Sequence, residues 1–217
     1  MAGILAGLAM AVALGDWYAT WKHYEKFRIL TKPLTMILLI AAVWVYSPGL
    51  PFPLPVFIVG LIMGLIGDVV LMLKGNLAFI AGLTAFLLGH VCYILGLNAA
   101  PLQFSIWNLI LLLPVGGMLT YFMVNIMPKV EKSMKIPVWV YALVIVTMFY
   151  SASLTLLRPQ WDSSAVILVI SGAFLFVLSD TLLAYDRFVA RIDGVWVMIT
   201  YHVAQIAIAG AVLLQYA

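Results

Sequence analysis

The chain has 217 residues, of which 66% are apolar and 9% are charged, with a formal net charge of +3. A soluble chain carries about a quarter charged residues. This composition therefore excludes a water-soluble domain and points to a bilayer as solvent. The basic excess is small and dispersed, which argues against nucleic acid as a partner.

A spanning helix needs about 20 apolar residues, and eight stretches qualify: 3–21, 33–48, 54–73, 76–98, 105–126, 136–157, 163–184 and 195–216. The expected fold is an all-α, polytopic bundle of eight transmembrane helices in a single membrane domain, 1–217. The first stretch lacks the basic leader of a cleaved signal peptide and is read as a retained helix. Pro33 is expected in the first turn of the second helix, where a missing N–H has no cost. Ser47-Pro48-Gly49-Leu50-Pro51-Phe52-Pro53 reads as a turn. Prolines 101, 128 and 159 mark the ends of the fourth, fifth and sixth helices.

Ten of the eleven Lys and Arg residues fall in odd-numbered loops. They are Lys22, Lys26, Arg28 and Lys32, then Lys74, then Lys129, Lys132 and Lys135, then Arg187 and Arg191. The even loops hold only Arg158. The positive-inside rule places the odd loops in the cytoplasm and both termini on the other side. The membrane would be the cell membrane in a bacterium or the endoplasmic reticulum in a eukaryote.

An aspartate in hydrocarbon costs about 2.5–3.5 kcal/mol, so one that persists faces a cavity or a partner. Asp68 and Asp180 lie on helices three and seven, which run the same way, and each sits roughly 9 Å inside the odd-loop face. Lys32, at the start of the second helix, can reach a carboxylate or a lipid phosphate, or snorkel to the headgroups. Asp16 is read as interfacial, within an aromatic belt of Trp17, Tyr18 and Trp21. Helices four and eight contribute His90, Tyr93, Tyr201, His202 and Gln205, some of them sharing faces at helical spacing. No HxxxH or HExxH pattern is present, and Cys92 stands alone, so neither metal nor cofactor is expected. Gly60, Gly64 and Gly67, with Gly82 and Gly89, have the spacing of close helix packing.

A faint repeat links Gly60–Asp68 to Gly172–Asp180, and a histidine follows each aspartate by 22 residues, His90 and His202. Four helices separate the copies, which would therefore share orientation, as parallel repeats do in transporters.

Five segments, TKPLTMILLI, GLIGDVVLML, LLGHVCYILG, GAFLFVLSDTLLA and TYHVAQIAIAG, stand in order over about residues 30–212. In this they resemble the YhhN/TMEM86 family. The resemblance implies a lysoplasmalogenase, which hydrolyses the vinyl ether bond of a lysoplasmalogen to a fatty aldehyde and a glycerophospho-base, of ethanolamine or choline. It places the family's paired acidic positions on Asp68 and Asp180, and the expected partner is the lysophospholipid within its membrane. Vinyl ether hydrolysis starts by protonating carbon, and a carboxyl group in low dielectric beside a second carboxylate suits that step. Lys32, His90, Tyr93, Tyr201, His202 and Gln205 are the expected substrate-binding residues. The alternative is a membrane transporter or lipid-binding protein whose aspartate pair couples to protons or cations.

Overall fold

The computed structural model describes residues 2–46, 49–101 and 104–216. Among the described residues the chain is all helical, and eight helices are long and apolar enough to cross a membrane. They are α1 (Gly3–Trp21), α2 (Glu25–Tyr46), α3 (Leu54–Leu71), α4 (Asn76–Leu97), α5 (Ile106–Lys129), α6 (Lys132–Leu157), α7 (Ser163–Phe188) and α8 (Val195–Tyr216). The expected architecture and the count of eight are met.

Two elements differ from their expected form. The second helix begins at Glu25 rather than at residue 33, so Pro33 lies inside it. Thr31 and Thr35 donate side-chain hydrogen bonds to the carbonyls of Phe27 and Thr31. The carbonyl that Pro33 leaves without its backbone donor is that of Ile29, four residues back, and neither hydroxyl bonds it. Lys32 therefore sits two turns into α2, well below the surface. In the fifth span the helix pauses at Leu111, between Ile106–Ile110 and Leu112–Asn125. Pro114 has no N–H to offer the carbonyl four residues back, which is the physical reason for a break there. Of the expected Pro-rich turn, Ser47 and Pro48 lie outside the described residues. Gly49 turns with φ +88°, a conformation glycine adopts freely.

Packing is strongest within three sequential hairpins: α1 with α2, α3 with α4, and α7 with α8. Helix α6 joins two of these by packing on both α4 and α7, and α8 closes the bundle against α1, α2 and α3. Glycines set the hairpin approach. A Cβ at Gly89 would lie 3.0 Å from the Gly60 carbonyl, and one at Gly172 would lie 3.0 Å from the Ala204 carbonyl. Close backbone contact of this kind is the main source of helix association in lipid.

Arg158, the lone basic residue of the even loops, is 3% exposed. Its guanidinium donates to the Leu97 carbonyl and, at 2.9 Å, to Asn98 Oδ1. It thereby satisfies carbonyls left open at the C-terminus of α4. Arg158→Leu is expected to cost about 2 kcal/mol, the scale of a hydrogen bond to a charged group. A lowered midpoint of thermal unfolding in detergent, partly restored by Arg158→Lys, is the readout.

Candidate functional site

A cavity of about 380 Å³ enters the bundle from the odd-loop end. His23, Arg28, Asp186 and Arg191 line its outer part, from the α1–α2 and α7–α8 connections and the adjoining helix ends. Lys32, Asp68, Asp180 and Tyr201 line its interior. Both aspartates thus open on one cavity, as their matched depth predicts.

Asp68, on α3, is 1% exposed. The Lys32 ammonium on α2 lies 3.0 Å from its Oδ1, and the Tyr201 hydroxyl on α8 donates to its Oδ2 at 2.7 Å. Lys32 is itself 6% exposed. Of the fates open to it, the carboxylate has won over snorkelling, because α2 starts early and places the side chain inside the bundle. Tyr201 also accepts from Gln205 Nε2 at 3.4 Å, and Gln205 Oε1 accepts from the Tyr93 hydroxyl at 2.7 Å. Gly64 makes room for this chain, since a Cβ there would lie 2.9 Å from Gln205 Nε2.

Asp180, on α7, has different company. The Tyr141 hydroxyl on α6 donates to its Oδ2, and His90 Nε2 on α4 lies 3.0 Å from that hydroxyl and 3.5 Å from the same carboxylate oxygen. Among the described residues no Lys or Arg comes within ion-pair distance of Asp180. Phe176, one turn before Asp180, bridges the two groups. Its ring packs edge-on to His90 at 4.6 Å and to Tyr201 at 5.5 Å between centroids.

The two aspartates are held in related ways. Asp68 contacts the helix that precedes it, α2, and the second helix of the other hairpin, α8. Asp180 contacts the helix that precedes it, α6, and the second helix of the other hairpin, α4. This is the arrangement a parallel repeat of four helices would produce.

The six expected binding residues divide. Lys32 and Tyr201 line the cavity. His90, Tyr93 and Gln205 stand behind it as hydrogen-bond partners. His202 faces α1, where its Nδ1 accepts from the Trp17 indole at 3.0 Å. An indole only donates, so this bond fixes the neutral tautomer with the proton on Nε2. Asp16 lies on α1 against α2. It is fully buried and accepts from Thr31 Oγ1 at 2.8 Å, because the long α2 packs along α1 and covers it. Sequence reasoning missed Tyr141, and it met Arg28 and Arg191 only as loop charges. Tyr141 stands in an otherwise apolar run, which is the one sign it offered.

A second, apolar slot touches the cavity at Leu71, Phe86, Asp180 and Leu183. It is narrow, about 40 Å³, and runs between α4, α5, α6 and α7 with almost entirely hydrocarbon walls. The site therefore offers charge at its mouth, two carboxyl groups in its interior, and an oily extension beside Asp180.

Lysoplasmalogenase TMEM86B of Homo sapiens is 29% identical to this chain over 184 residues, covering 84% of the chain and 74% of that protein. No solved structure matches the chain. The sequence pattern of the YhhN family matches residues 27–212, and the chain belongs to that family.

Proposed function

We propose that this protein is a lysoplasmalogenase that cleaves the vinyl ether bond by acid–base catalysis with Asp180 and Asp68. The observation that carries the reading is the opening of both aspartates on one cavity, with a cationic mouth at one end and an apolar slot at the other. A lysoplasmalogen has the same order of parts: a phosphate head, a polar vinyl ether and a hydrocarbon chain.

In this reading Asp180 gives its proton to the alkene carbon β to the ether oxygen. The π electrons form the new C–H bond, and the adjoining carbon and oxygen share the resulting positive charge. Asp68, kept anionic by the Lys32 ammonium, stabilises that oxocarbenium ion electrostatically. Water adds to the cationic carbon and loses a proton to the Asp180 carboxylate, which restores the acid. The hemiacetal then passes its hydroxyl proton to the glycerol oxygen as the C–O bond breaks. The products are the fatty aldehyde and the glycerophospho-base. Paired carboxylates divide acid and electrostatic roles in the same way in glycoside hydrolysis. Tyr141 and His90 position Asp180 by hydrogen bonding.

Lys32 was an expected phosphate ligand, but its ammonium is engaged by Asp68. Arg28 and Arg191 at the mouth are ion-paired with Glu25 at 3.5 Å and Asp186 at 3.0 Å, but each guanidinium has five N–H donors and keeps some for an oxyanion, which the buried Lys32 ammonium does not. The positive-inside rule puts this mouth at the cytoplasmic leaflet.

The repeated holding of the two aspartates favours a second reading, a proton- or cation-coupled carrier or lipid-binding protein. Flux in proteoliposomes with no aldehyde formed would select it.

Purified protein given a lysoplasmalogen is expected to release aldehyde. Asp68→Asn and Asp180→Asn should each lose at least about tenfold in rate while still folding. Full activity in both variants would end the catalytic assignment. Tyr141→Phe keeps the ring and removes the hydroxyl. It is expected to lower kcat about tenfold with KM within about twofold, the pattern of a group acting after binding. A rise in KM alone would instead make Tyr141 a substrate-binding residue.

A further inference from the structure

The structure assigns a lateral path for the lipid's hydrocarbon chain, running from Asp180 between α5 and α7 to the bilayer. This inference rests on the lipid-hydrolase reading above and adds where the chain lies and how it enters.

The path is built from three spaces that share walls. The polar cavity meets the apolar slot at Asp180 and Leu183, and the slot, at about 40 Å³, is the constriction that a chain must widen to pass. The slot in turn shares Met118, Val177 and Thr181 with an outer groove of about 410 Å³. That groove runs along the outer faces of α5 and α7, with Gly117 and Tyr121 on one bank and Leu178 and Tyr185 on the other. Asp180 and Thr181 are consecutive, so one turn of α7 passes from the reacting centre to the membrane surface.

The packing of α5 suits an opening here. Only 11% of its apolar span is buried, against 28–61% for the other seven spans. Its packing partner is α6, and among the described residues it has no comparable contact with α7. Two glycines, Gly116 and Gly117, face open space, because a Cβ at either would meet nothing within 4 Å. Helix α5 thus leaves a seam with α7 instead of sealing against it. The one occupant that fits a seam lined by hydrocarbon and continuous with the bilayer is a lipid chain. It would leave a medium as apolar as the slot it enters, so entry needs no dehydration.

A saturated alkyl-ether lysophosphatidylethanolamine with a diazirine at its chain end serves as probe, because it has no vinyl ether to cleave. After illumination in nanodiscs, labels are expected on α5 and on the 174–185 face of α7. Labels spread evenly over all lipid-facing helices would overturn the path. In the second measurement, Gly117→Trp puts an indole into the groove from a position with free space. It is expected to lower the ratio of kcat/KM for a long-chain over a short-chain vinyl ether at least about fivefold, because only the long chain loses bound contacts. An unchanged ratio would overturn the path. Labels on α5 and α7 without any aldehyde formation would sustain the path and end the lysoplasmalogenase reading. Aldehyde formation with scattered labels and an unchanged ratio would do the reverse.

Discussion

The ion pair between Lys32 and Asp68 governs the rest of the site. A charge taken into a low-dielectric interior costs several kcal/mol unless a partner and further hydrogen bonds meet it. Here the partners come from three helices: the ammonium from α2, the carboxylate from α3 and the Tyr201 hydroxyl from α8. The pair therefore fixes the depth of α2 against α3 and the rotation of α8 at once. Tyr201 passes the constraint on to Gln205 and Tyr93, which tie α8 back to α4.

The same demand shapes the second half of the bundle with different residues. Asp180 meets a hydroxyl and an imidazole in place of an ammonium. The two halves share a scheme, an aspartate held by the preceding helix and by the other hairpin, but not a chemistry. Phe176 lies against both sets, so a displacement of one aspartate's partners is felt at the other through a packed ring. The two carboxyl groups therefore stand in unequal surroundings on a nearly repeated frame, one beside an ammonium and one beside a hydroxyl and an imidazole.

The sequence made much of this legible. Hydropathy and prolines located the eight spans, because the bilayer imposes length and composition directly. Spacing from the basic loops put Asp68 and Asp180 at one depth, and both line one cavity. Depth is a one-dimensional quantity that a sequence can hold. The faces of helices are not. His202 shares with His90 its spacing of 22 residues from an aspartate, yet it turns to Trp17 on α1, because rotation about a helix axis depends on its neighbours. The cover over Asp16 was not legible because α2 was expected to start later than it does. The helix runs through Pro33, and the extra turns cover Asp16 and carry Lys32 inward. Tyr141 stayed hidden because a lone tyrosine in a membrane helix has no pattern to mark it.

Charge balance connects the site's electrostatics to the proposed reaction. On the proposed assignment, with Asp180 as the acid, the cavity interior starts with one cation, Lys32, and one anion, Asp68, beside an uncharged substrate. After transfer it holds Lys32 and the oxocarbenium ion against two carboxylates. The interior is neutral in both states, so the reaction moves charge over a short distance without creating a net charge in a dry space, where such a charge would be most costly. Without Lys32, one aspartate would have to be neutral at rest and the other would lack a reason to ionise. The lysine that sequence alone left between a phosphate and a carboxylate is thus better placed on the carboxylate. From there it sets which of the two acids is free to give up its proton.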